Sequence, residues 1–318
     1  MTVMCEQHTI SVYVGRDPTR TQTLRNIFAR EMARRFAELI HVIRISVDAN
    51  DAFGLRVYQM EPAWPNFFNF PRSSDKVAAF MSWLDEQVER GILDVRDITQ
   101  VGRSIDAAWT NKFIFDSYKR GVIRARQELR NAGYDVPSID STGGVEMSMS
   151  VPVHLDRLGL LYTRVFSDLK GITDAMDVQI SRVLTQGIAD GDNPRLLARK
   201  LVSTINGKGV GDLGVTDTLG RFIPAARRAE LLARTEIIRA HHQAMIQEYK
   251  NWAVEGFIVK AEWVTAGDHR VCPKCAPLEG RVFTLEQVWN MIPVHPLCRC
   301  IALPFRQSLS TGRLRRGL

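Results

Sequence analysis

The sequence predicts a mainly α-helical protein with a small C-terminal α+β module, in which short strands surround a Cys/His metal knuckle. Three observations carry that expectation. Apolar residues recur at three- and four-residue steps through most of the chain up to Glu255. After Gly256 the pattern changes to alternating β-branched and aromatic residues, the mark of short strands. Four of the five cysteines fall within 29 residues, as Cys272-Pro-Lys-Cys275 followed by His295-Pro-Leu-Cys298-Arg-Cys300.

The bulk composition suits a folded chain. Of 318 residues, 45% are hydrophobic and 24% charged, enough to bury a sizeable core in one large domain or two. Met1 to Arg20 holds no signal-peptide pattern, and no stretch approaches the roughly 18 apolar residues that a membrane helix needs. The expectation is therefore a chain folded in the cytosol, with no membrane partner. In that compartment a Cys-x-x-Cys is more often metal-binding or redox-active than a stable disulfide.

The elements follow in order. From Thr19, Leu24, Ile27, Phe28, Met32, Phe36, Leu39 and Ile43 make one amphipathic stripe, with Asp17-Pro18 as its start signal. The stripe reads as core, with packing on a partner subunit as the alternative. Pro62 to Pro71 is proline-broken and carries Trp64, Phe67, Phe68 and Phe70, so it reads as an arm or docked loop. A helix resumes at Ser74 to Gly91, with Val77, Phe80, Met81, Leu84 and Val88 in register. Another begins at Ile98 or later and runs to about Asn131, ended by Ala132-Gly133.

Residues 140–153 read as a linker. A long helix starts near His154, with Leu155, Leu158, Tyr162, Val165, Leu169, Ile172, Met176, Ile180, Val183 and Leu184 periodic. Asn193 and Pro194 are the N-cap and first residue of a short helix. The glycine-rich Asn206–Gly214 lacks a phosphate-loop pattern and reads as a flexible loop. Leu231, Ile238, Met245 and Trp252 recur every seven residues in a helix from Ala225 to Glu255. Phe257 to Val264 and Arg281 to Thr284 read as strands. The division expected is a helical region over 1–139 with its arm at 62–71, a linker over 140–153, a domain over 154–305 (helices 154–255, Cys/His β module 257–305), and a basic tail over 306–318.

Zinc prefers four tetrahedral thiolate or imidazole ligands, and two clusters about 20 residues apart are the sequence form of such a site. Five donors compete here: Cys272, Cys275, His295, Cys298 and Cys300. Cys272 and Cys275 form the most specific pair. The second cluster supplies two of the other three, and His269 is a weaker candidate. The alternatives are disulfides, free buried thiols, or a catalytic metal. A thiolate-rich site is usually closed to water. An open one would need a nearby carboxylate, for which Asp268 and Glu279 are the close choices. His241-His242 are adjacent and share no metal-binding helix face, so an exposed or satisfied pair is expected.

The formal net charge is +7. Arg30, Arg34 and Arg35 cluster early, and Arg306, Arg313, Arg315 and Arg316 dominate the tail, where they are candidate DNA contacts. The alternative is a set of solvated faces that keep the chain soluble.

The ordered series Arg228-Ala-Glu-Leu-Leu-Ala-Arg-Thr-Glu236, Trp263-Val-Thr-Ala-Gly-Asp-His-Arg-Val-Cys272-Pro-Lys-Cys275, Leu278-Glu-Gly280 and His295-Pro-Leu-Cys298-Arg-Cys300 resembles the phage head morphogenesis family, the Mu F-like minor capsid proteins. The resemblance covers about residues 155–305 and is densest over 228–304. It implies a minor head protein of a tailed phage or prophage, associated with the portal protein and other head proteins and acting in head assembly, DNA packaging or ejection. It implies a virion location inside the capsid near the portal vertex, with assembly in the host cytoplasm. Arg234 and Glu236 would brace the cysteine module, as would Asp268. No small-molecule substrate and no enzyme activity is expected. The rival reading is a metal-dependent hydrolase or nuclease that uses the same Cys/His module.

Overall fold

The structure, a computed structural model, describes residues 17–56, 73–207, 216, 221–254 and 259–305. Cys5, the Pro62–Pro71 arm, most of the glycine-rich loop and the basic tail lie outside the described residues. Among the described residues the elements are α1 (Gln22–Arg44), α2 (Ser73–Val88), α3 (Asn111–Asn131), α4 (Gly144–Met149), α5 (Pro152–Ala189), α6 (Pro194–Asn206), α7 (Ala225–Val254), β1 (Lys260–Val264), β2 (Val282–Thr284), α8 (Leu285–Val288) and β3 (Ile301–Phe305). Contacts divide the chain into two compact units. One comprises Met1–Thr21, Ser117–Leu155 and Ile238–Leu318; the other comprises Gln22–Asp116 and Asp156–Ile237.

In the second unit the α1 stripe is core: Leu24, Phe28, Met32, Phe36, Leu39 and Ile43 are buried. Ile27 departs from the expectation and is 41% exposed. Its position places it one step around the helix toward solvent. Phe28 stacks on Phe113 with centroids 4.5 Å apart, and Trp109 meets both rings edge-on. The helix α5 likewise buries Leu158, Val165, Leu169, Met176, Ile180 and Leu184. Leu155 at its start, expected in that stripe, is 54% exposed. The cap of α6 is as expected: Asn193 accepts from the Leu196 N–H at 2.9 Å, with Pro194 next.

In the first unit α3 ends in a Schellman turn. The Tyr134 N–H donates to Leu129 O and the Gly133 N–H to Arg130 O, with Gly133 at φ 85. From Ala240 to Tyr249 every residue of α7 is buried, polar ones included. Such a helix needs partners for its polar groups. Glu248 supplies the centre of a network: it accepts from Arg126 Nε (2.6 Å), Trp252 Nε1 (2.9 Å) and His154 Nε2 (3.2 Å). His154 Nδ1 lies 2.8 Å from the Tyr118 hydroxyl. Burial alone would raise the Glu248 carboxyl, but the hydrogen bonds from His154 and Arg126 hold it below the ordinary range.

The same guanidinium reaches Thr142 Oγ1 and Ser148 Oγ. Residues 140–153, expected as a linker, therefore carry a short 3-10 turn and α4, with Ser148 and Met149 buried. Hydrogen bonding to one buried arginine orders a segment whose composition suggests a loop.

The sheet of this unit is antiparallel in the order β2-β1-β3. Trp263 on β1 is fully buried and packs in one cluster with Ile246, Tyr249, Leu285, Val288 and Ile301. No alternation in the sequence marks the strand β3. Its Pro304, opposite Ala261, suppresses a strand reading, yet β3 is a sheet edge, where a missing N–H is tolerated.

Candidate metal centre

Two turns present the five donors. In the first, the Cys275 N–H donates to Cys272 O at 3.0 Å, folding the Cys-Pro-Lys-Cys segment so that both sulfurs lie on one side. In the second, the Cys298 N–H donates to His295 O at 3.1 Å. Leu297 in that turn has φ 65, a left-handed conformation that costs a non-glycine residue about 1 kcal/mol. Cys300 immediately precedes β3, so its position is set by the pairing of β3 with β1.

The donors converge around Cys275. Its sulfur lies 3.3 Å from His295 Nε2, and that of Cys272 lies 3.1 Å from the same nitrogen. Cys272, Cys275 and His295 form one group whose ligand atoms lie within 4.8 Å of one another, and Cys275, Cys298 and Cys300 form a second. His295 Nδ1 is 2.7 Å from Pro296 O, which can only accept. The ring proton therefore sits on Nδ1 and the Nε2 lone pair faces the sulfurs, as a metal-ligating imidazole requires. His269 is exposed and joins neither group.

The surroundings are a dry wall on one side and polar anchors on the other. Cys275, Cys298 and Cys300 are buried within the Trp263 cluster, while Cys272 is half-buried. No disulfide joins these four thiols. Burial and the neighbouring Cys298 push the Cys275 thiol up to about 12. Hydrogen bonding from Cys300 pulls Cys298 down to about 5, and the Cys300 thiol rises in consequence. Burial opposes ionisation of Cys272 as well, but backbone N–H groups of Cys275 and Lys274 bring its thiol below the usual value. Crowded sulfurs that cannot all ionise by themselves are a site that a divalent cation would complete.

Asp268 accepts from Arg299 Nη1 at 2.8 Å and Nη2 at 2.6 Å, and from the Arg270 backbone N–H at 3.0 Å. The Arg299 guanidinium holds the Asp268 carboxyl well below the usual carboxylate range. Glu279 accepts from the Thr265 N–H at 2.6 Å. Nothing in the sequence marks the role of Arg299 beyond its place between Cys298 and Cys300. His241 and His242 are both buried; His242 Nε2 donates to Val288 O at 3.0 Å, and burial pushes its pKa down to about 4. Arg234 donates to Asn26 Oδ1 on α1, and Glu236 lies 3.5 Å from Arg164 on α5. Arg306, Arg313, Arg315 and Arg316 lie outside the described residues.

A mainly helical chain with a three-stranded module, in which one imidazole and four thiols converge beside the core, is a protein with a Cys/His knuckle able to hold a metal ion. Residues 178–303 match the family described as phage Mu protein F like protein, a span that contains all five donors. The match covers less than half of the chain, so the likeness is that of this span alone. No curated protein matches the chain, and no solved structure does. Among the described residues no helix is long and apolar enough to cross a membrane.

Proposed function

We propose that this chain is a minor capsid protein of a tailed phage or prophage. In this reading it associates with the portal and other head proteins inside the capsid near the portal vertex. It acts in head assembly and in DNA packaging or ejection. Its Cys/His module is held by a structural zinc ion. The observation that supports this most is the family match over 178–303, which encloses the whole donor cluster. Zinc suits the donor set, since thiolates with one imidazole are its usual structural ligands. When bound it would add to the apolar core of a small three-stranded module, its binding energy acting as folding energy.

A hydrolase or nuclease would need a free base at this site. Asp268 is engaged by Arg299 and held as a weakly basic anion, and Glu279 is committed to the Thr265 N–H. Both features favour a structural centre. The direct tests are elemental analysis with a thiol count on the purified chain, and detection of the chain in purified heads. About one zinc per chain and a low copy number in DNA-filled heads are expected. A metal-free chain with reactive cysteines would overturn the zinc assignment, and its absence from heads would overturn the virion role.

A further inference from the structure

We infer that the outer face of α1, together with the adjoining face of α6, is a docking surface for the phosphate backbone of double-stranded DNA. Ile27, Arg30, Arg34, Glu38, His41 and Arg44 are the exposed residues that recur at three- and four-residue steps, so they form one ridge along the helix. From Arg30 to Arg44 the ridge is about 21 Å long at the helical rise of about 1.5 Å per residue. A ridge of that length reaches several phosphates of a duplex, which carries one charge per about 1.7 Å of its axis over the two strands.

Each flank of the ridge is a groove that adds cations. On one side Lys112 and Trp109 line the groove with Arg30 and Arg34. On the other, Arg199, Ser203, Asn206 and Gly207 line it with His41 and Arg44. Arg195 lies one turn before Arg199 on the exposed side of α6.

Arg34 and Arg35 are spent on neighbouring groups, and five other cations are available. Arg34 is shared by Glu31 and Glu38, and Arg35 is taken by Gly91 O and the Trp109 ring. Arg30, Arg44, Arg195 and Arg199 form no ion pair or side-chain hydrogen bond with the described residues. Lys112 only overlies the Phe113 ring. An acidic protein partner would be expected to find an apolar anchor at the centre of the face. Here the groove between His41 and Arg199 is lined by Ala37, Ser203, Asn206 and Gly207, with Ile40 buried and Val202 half-buried beneath them, so small or polar groups that let a sugar-phosphate backbone come close make up most of its lining. Contacts to phosphate carry no sequence information, so binding through these cations is independent of sequence. This inference rests on the free cations and their spacing, not on the family match.

The test is binding of the full chain to duplex DNA of random sequence over a salt series. Five free cations predict a slope of log K against log salt of about −4 to −5. Replacing Arg30, Arg44 and Arg199 by Gln, at exposed positions that leave the fold intact by circular dichroism, is expected to shallow the slope by about 2.7. Replacing Arg313, Arg315 and Arg316 by Gln is expected to leave most of the slope in place. The inference is overturned if the tail variant loses the slope and the face variant keeps it. It is overturned equally by the absence of salt-dependent binding, or by an acidic protein displacing the DNA without itself depending on these arginines.

Discussion

Arg299 grips both carboxylate oxygens of Asp268 at once, with Nη1 and Nη2 at 2.8 and 2.6 Å. The pair is mostly buried, with side chains 17% and 10% exposed. Arg299 separates Cys298 from Cys300, and Asp268 lies four residues before Cys272. One ion pair thus fastens the loop that carries the first two thiols to the segment that carries the last two.

Removing that fastening should loosen the centre without deleting a donor. Arg299→Ala is expected to weaken metal binding about 10- to 100-fold, the usual effect of losing an outer-layer partner. Competition against a chromophoric chelator measures this. Arg270→Ala is the control, because Arg270 is the exposed partner of the same carboxylate and should change affinity little.

The buried network around Glu248 should be costly to break. Glu248→Gln leaves the Arg126 guanidinium in the interior without its counter-charge, and is expected to cost about 3–5 kcal/mol. Urea unfolding reads this. Glu146→Gln, which breaks the ion pair of an exposed carboxylate with Lys119, should leave stability almost unchanged. Equal losses in the two variants would show that burial is not what matters at Glu248.

At Gly121 the helix α3 approaches α7 closely. A Cβ there would meet His241 O at 2.5 Å and Ala244 Cβ at 2.6 Å. Backbone cannot yield as a flexible side chain would, so Gly121→Ala is expected to destabilise the protein by about 1–3 kcal/mol through overpacking. An unchanged melting temperature would contradict this close approach. Gly171→Ala on α5, where a Cβ meets nothing within 4 Å, should be neutral or slightly stabilising.

Asp177 carries a pH dependence of known sign. Burial, with repulsion from Asp85 and Asp174, pushes its pKa up to about 7, and its Oδ1 has no hydrogen-bond partner. The folded state therefore holds a proton that the unfolded chain has lost between the ordinary carboxylate range and about pH 7. Stability from this group falls as pH rises through that window. Asp177→Asn should exceed the parent in stability above pH 7 by about 1–2 kcal/mol, a figure reduced for the partial exposure of the group. That excess should shrink toward zero near pH 4. An excess that is constant with pH would mean that Asp177 does not titrate differently in the folded chain.

The helices were legible because their signals are local. Asn193-Pro194 and Ala132-Gly133 mark ends through capping geometry that spans only a few residues. The stripe of α1 needs only the helical period to place Phe28, Met32 and Phe36 inward. The five donors were visible for the same reason, since close spacing in a turn is a local property. Residues 140–153 and β3 were not legible. The former are ordered by Arg126, more than ten residues away, and the latter by pairing with β1 about 40 residues earlier.

By itself, then, the chain determined the helical class, the caps, the inward faces and the identity of the candidate ligands, all of which follow from short-range periodicity and side-chain chemistry. Only the tertiary structure decided that His295 turns Nε2 toward Cys272 and Cys275. It alone decided that Arg299 closes on Asp268, and that Glu248 is the buried counter-charge of Arg126. Those choices depend on which distant groups share a desolvated space. There an unpaired charge is expensive enough to select one partner among many, and sequence spacing carries no record of that selection.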